Sequence, residues 1–165
     1  MDISQIIKPW KLNPQRNLVF VNATIVDPAE GKLIPNATVR ISEGRIFQIV
    51  TEGSTIAIDD LSEELVIDLS EKYLCPGLID CHVHVAVVPG EANLQAYKEM
   101  SERVSLLRQP HVLKSMLDRG FTSIRDCGGA SLAIKEAVED DVIPGPRLFI
   151  AGHALSQTGG HGDLR

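Results

Sequence analysis

Beyond Pro76 the chain alternates short apolar runs with stretches of helical period, and this alternation constrains the fold more than any other feature. Leu78 to His84 reads as a strand. Glu91 to Arg108 then carries Leu94, Tyr97, Val104 and Leu107 at helical spacing. Pro110 suits the first turn of a second helical piece, His111 to Arg119, built on Val112, Leu113, Met116 and Leu117, with Gly120 as its C-cap. Phe121 to Asp126 returns as a strand, Ala130 to Glu139 as a helix on Leu132, Ala133, Ala137 and Val138, and Arg147 to Ala151 as a strand. Strand, helix, strand, helix, strand makes two right-handed β-α-β units, which sets the class as α/β with a parallel sheet.

The first half reads differently. Residues 1–16 contain Pro9 and Pro14, show no period and form an arm. Asn17 to Asp27 is β-branched and aromatic, hence strand, and Pro28 to Gly31 turns it. From Asn36 to Ser42, Ala37, Val39 and Ile41 alternate with Thr38 and Arg40, the mark of a half-buried strand, and Glu43-Gly44 turns into a partner at Arg45 to Val50. Residues 51–63 are polar and acidic and read as a solvated loop. Leu65 to Leu69 and Tyr73 to Cys75 complete a small sheet over residues 17–75.

Chemistry concentrates in Pro76-Gly77-Leu78-Ile79-Asp80-Cys81-His82-Val83-His84. On a strand, side chains alternate faces, so His82 and His84 point the same way and Cys81 and Val83 the other. Two imidazoles so placed can share one divalent cation. The same parity puts Asp80 on the histidine face, as an acceptor behind the pair. A bare His-x-His also arises on any polar strand face, but a strand read as buried needs something to satisfy two imidazoles. A structural zinc site from Cys75, Cys81, His82 and His84 lacks the Cys-x2-Cys knuckle, so Cys75 and Cys81 read as ordinary buried thiols.

These segments resemble the metal-dependent amidohydrolase superfamily. Pro76 to His84 is similar to its first barrel strand, Asn22 to Asp27 and Gly44-Arg45-Ile46 to the small β-sandwich that precedes the barrel, Gly120 to Gly129 to the second strand and loop, and Gly145-Pro146-Arg147-Leu148 to the entry of the third. Ser156-Gln157-Thr158-Gly159-Gly160-His161-Gly162-Asp163 resembles the branch with imidazolonepropionase-like enzymes, Xaa-Pro and Xaa-Arg dipeptidases and the ochratoxin amidase. The resemblance implies an incomplete TIM barrel, its first three strands, over residues 76–165, preceded by part of a β-sandwich over residues 17–75. A whole barrel takes about 250 residues, so 165 residues are expected to be the N-terminal part of a longer enzyme.

The resemblance further implies a divalent metal, zinc by its histidine ligands, on His82 and His84, and hydrolysis of C–N bonds in a small amide or dipeptide substrate. The family's remaining ligands and its aspartate base lie on later strands, so no catalytic residue is assigned and the 165-residue chain alone is expected to be inactive. His161, among Gly159, Gly160 and Gly162 in a loop after a barrel strand, is expected to line the substrate site; Asp163 is a weaker candidate. Arg125-Asp126 reads as a structural ion pair rather than a device that orients ligands, His153 as a loop residue within reach of the site, and His111 as a surface residue near a helix start. A lactam hydrolase or deaminase of the same superfamily is an alternative, as is a non-catalytic binding fragment using its open sheet edge.

Composition excludes other classes. A net charge of −6 without a basic run argues against nucleic acid. No apolar stretch approaches the roughly 20 residues that span a bilayer, and Met1 to Trp10 lack a signal-peptide pattern. Three cysteines without framework spacing fit a reducing, cytoplasmic setting. A homo-oligomer is compatible with all of this, and an open barrel would expose apolar faces that promote self-association.

Overall fold

The structure, a computed structural model, describes residues 8–13, 16–51, 64–87 and 99–160. The chain divides into two compact units: Asn13–Pro76, and Gly77–Arg165 together with Met1–Leu12.

The first unit is a sheet of β1 (Leu18–Asp27), β2 (Lys32–Ser42), β3 (Arg45–Val50), β4 (Leu65–Asp68) and β5 (Tyr73–Leu74). Strand order is β3-β2-β1-β4, with β5 also paired to β1. β1 and β2 form an antiparallel hairpin from Leu18 opposite Ile41 to Asp27 opposite Lys32, while β4 and β5 run parallel to β1. The alternation expected in β2 is present, with Ala37 and Val39 buried beside Val19 and Ala23 of β1. The strand itself starts earlier than expected, at Lys32. The hairpin's register shifts flank Ala23, and Asn22 and Asn36 take up φ of 58° and 52° there. Asparagine tolerates this left-handed geometry better than most residues. Asn22 Nδ2 also donates to Asp68 Oδ1 at 3.1 Å, which ties β1 to the end of β4. Across the sheet, Arg40 directs Nε and Nη2 at Glu64 Oε1, both at 2.7 Å.

The second unit holds β6 (Leu78–Val83), α1 (Glu102–Asp118), β7 (Phe121–Asp126), α2 (Leu132–Glu139) and β8 (Arg147–Ile150). The three strands are parallel in the order β6-β7-β8. A single core joins strands and helices: Val85, Leu113, Ile124, Ala130, Ile134 and Leu148, bordered by Val83, Leu106, Met116 and Val138. The α/β class inferred from the alternation holds.

Two expectations fail here. Pro110 does not begin a separate helix but lies inside α1, which runs unbroken, so His111 is mid-helix. Proline removes one N–H and crowds the carbonyl four residues back, yet Leu113, fully buried one turn later, anchors the helix through that point. Nor is β6 buried: Leu78 is 50% and Ile79 69% exposed. Among the described residues β6 pairs only with β7 and is an edge strand, and the core reaches it at its C-terminal end, through Val83 and Val85. With it goes the expectation of buried thiols, since Cys81 and Cys75 are both exposed; all three cysteines are free thiols. Gly120 follows α1 with φ 91°, as the expected helix stop requires. No helix among the described residues is long and apolar enough to cross a membrane.

Candidate functional site

In a parallel sheet the loops leaving the C-terminal strand ends lie together, and here they gather around one buried carboxylate. Asp126, the last residue of β7, is fully buried. Its Oδ2 accepts the Val85 N–H at 2.8 Å, and its Oδ1 accepts those of Gly128 and Ala130 at 2.8 and 3.1 Å. The aspartate thus pins the segment after β6 to the loop after β7. Main-chain bonds reinforce the junction, from Cys127 N–H to Val83 C=O at 2.9 Å and from Gly129 N–H to Gly152 C=O at 2.8 Å. The loop after β8 closes against it so tightly that a Cβ at Gly128 would stand 2.7 Å from Ala154 Cβ.

The histidine pair sits on this junction. His84 Nδ1 lies 3.0 Å from the Gly128 carbonyl. A carbonyl can only accept, so Nδ1 is the donor, and in the neutral ring Nε2 then keeps its lone pair. That is how a metal-binding imidazole is usually oriented, by a hydrogen bond on its other nitrogen. The ring of His82 stands 5.4 Å from that of His84, centre to centre, with 68° between their planes. Two imidazoles sharing one cation at about 2.0–2.1 Å in tetrahedral array have ring centres roughly 5 Å apart. The spacing of the rings is of the size a common divalent ion requires. A tetrahedral ion takes about four ligands, and among the described residues no group of three or more His, Cys, Asp or Glu side chains gathers to hold a metal.

Strict alternation, from which the histidine face was inferred, does not hold along β6. Asp80 stands opposite Ile124 and Val83 opposite Asp126, so β6 has one residue more than β7 between these pairs. Asp80 uses its Oδ1 to accept the main-chain N–H of His82 at 3.0 Å. Arg125 and Asp126 are not the ion pair that their adjacency suggested. As neighbours on a strand they leave on opposite faces: Asp126 turns into the junction, and Arg125 Nε donates to the Cys81 carbonyl at 2.8 Å. Arg125, Cys127 and Phe149 line a concavity of about 330 Å³ beside the ends of β7 and β8. His153 lies in the loop after β8, while His161 and Asp163 lie outside the described residues. The role of Asp126 was missed by sequence reasoning. The signal was there, since aspartate followed by Cys127-Gly128-Gly129 is the pattern of a side chain that accepts N–H groups of its own turn.

The chain is 28% identical over 155 residues to the ochratoxinase of Aspergillus niger, covering 91% of this chain and 31% of that protein. Among solved structures, a prolidase complexed with N-methylphosphonate-L-proline superposes with a TM-score of 0.78 at 40% identity, over 90% of this chain and 35% of that one. A Xaa-Pro dipeptidase with methionine in its active site gives 0.75 at 25% identity, over 89% and 36%. The chain thus spans about a third of the length of the relatives it matches. The amidohydrolase family model covers residues 73–165, from β5 through the histidine pair and the whole parallel sheet, and the chain belongs to the amidohydrolase family.

Proposed function

We propose that this chain contributes the first two metal ligands, His82 and His84, to a hydrolase of amide or peptide C–N bonds. The observation that carries this reading is the bond from His84 Nδ1 to Gly128 C=O, which leaves Nε2 available beside a second imidazole 5.4 Å away. The likeness to an ochratoxinase and to prolidases supports a small amide or dipeptide as the substrate class. A bound divalent cation, zinc by the ligand type, supplies Lewis-acid polarisation of a carbonyl and acidification of water. The chain's own part is to hold two imidazoles in one orientation and tautomer.

On this reading residues 76–165 are the first three strands of a barrel, residues 17–75 part of a β-sandwich and residues 1–16 an arm. His161 lines the substrate site, further ligands and the base come from later strands, and the three free thiols suit a reducing cytoplasm. The test is a cobalt titration of the purified chain, followed by its visible absorption. Binding is expected to be weak and to be lost in His82→Ala and His84→Ala; binding unaffected by both would overturn the assignment. Assayed on Xaa-Pro dipeptides and ochratoxin A, the chain alone is expected to be inactive. Chelator-sensitive turnover that His82→Ala abolishes would refute that expectation.

A further inference from the structure

The extra residue in β6 disrupts the ladder next to the histidine pair, and a single peptide unit lies at the disruption. Its carbonyl belongs to Cys81 and its N–H to His82. Side chains engage both ends: the N–H donates to Asp80 Oδ1 at 3.0 Å, and the carbonyl accepts Arg125 Nε at 2.8 Å. The Cys127 thiol approaches the same carbonyl at 3.7 Å. We propose that Asp80 and Arg125 are positioning residues that clamp the Cys81–His82 peptide plane and so set the His82 ring against His84.

A peptide plane has little freedom once both its polar ends are held, because rotating it moves the two groups in opposite directions. The His82 Cα lies in that plane, so holding the plane fixes the point from which the imidazole side chain starts. His84 is oriented independently, through Gly128 and Asp126. The two rings are thus positioned by two separate devices that meet in β7, where Arg125 and Asp126 are adjacent and serve one histidine each. The clamp also explains why an exposed arginine sits on β7 with its Nε on main chain rather than on a carboxylate. A bulge next to functional side chains re-aims them, and here the bulge carries its own fastening.

The proposal rests on the metal reading for its purpose but not for its test. In the metal-free chain, proton NMR should show a contact between the His82 and His84 rings and slowed exchange of the His82 amide. Asp80→Ala and Arg125→Ala should lose both signals, while Asp80→Asn, whose side-chain oxygen still accepts the N–H, should restore them. Circular dichroism on the same samples establishes that each variant is folded. In the cobalt titration, Asp80→Ala and Arg125→Ala should weaken binding by about 10-fold or more, the size of effect found for groups that orient ligands, and Asp80→Asn should stay within about 3-fold of the parent. An Asp80→Asn variant as impaired as Asp80→Ala would make the carboxylate a ligand and overturn the clamp. Ring contact and amide protection unchanged in both alanine variants would overturn it too. If the chain binds no cobalt but the NMR signals behave as expected, the metal reading fails and the clamp stands.

Discussion

Asp126→Ala would leave three buried N–H groups, those of Val85, Gly128 and Ala130, without the acceptor they now share at 2.8 to 3.1 Å. A hydrogen bond to a charged group contributes about 1.5–3 kcal/mol. The three are not additive, since a loop released at one point relaxes at the others. A buried donor left without a partner costs about 1–3 kcal/mol, so with three such donors partly relaxing together a loss of about 3–5 kcal/mol is expected here. Against total stabilities of about 5–15 kcal/mol it removes much of what holds the parallel unit together. Asp126→Asn separates the contributions. Its oxygen can still serve Gly128 and Ala130, but its amide nitrogen faces the Val85 N–H, donor against donor, so a loss of about 1.5–3 kcal/mol follows. Urea unfolding followed by circular dichroism gives both values, and hydrogen exchange at Val85 reports the bond that asparagine cannot make. Equal stability of Asp126→Asn and the parent, with Val85 protection intact, would refute the junction as the organising contact.

Further expectations follow from packing and charge. A Cβ at Gly77 would stand 2.0 Å from Thr122 Oγ1 and 2.2 Å from its Cγ2, so Gly77→Ala should lower the melting temperature at a cost of about 1–3 kcal/mol, and adding Thr122→Ala should recover most of it. Leu113→Ala, at a fully buried position that packs beside Gly145, should cost about 2–5 kcal/mol in the same assay. Asp68 is held below its ordinary 3.8 chiefly by the Ser70 hydroxyl, then by Asn22 and the Ser70 N–H. Its folded-state value is depressed, so its contribution is fully present above 3.8 and is lost as pH falls through the lowered value. The stability gap between the parent and Asp68→Ala should therefore be constant from pH 7 to 5 and narrow as pH falls below 3.8, and a gap that widened on acidification would contradict this.

Which features could be read from residues alone follows from the range of the forces involved. Ala37 and Val39 were legible because a two-residue period reports burial directly. The strand-helix order after Pro76 was legible because apolar spacing separates the two states. Pro110 misled because its local cost is outweighed by tertiary packing one turn away at Leu113. Apolar Leu78 and Ile79 suggested a buried strand, but burial is a property of neighbours, and among the described residues β6 has a strand on one side only. The histidine pair was visible as a motif, whereas what holds it was not. Gly128, Asp126 and Arg125 lie more than 40 residues further along, and only the register of β6 against β7 brings them beside it.

That separation bears on synthesis. His84 and the carbonyl that fixes its tautomer are 44 residues apart, so at roughly 5–20 residues per second the imidazole leaves the peptidyl-transfer centre about 2–9 s before its partner is made. During this interval either ring nitrogen can carry the proton and nothing from β7 restrains His82. Both restraints arrive together when β7 docks on β6, so the pairing of these two strands is the step that orders the two rings in the nascent chain.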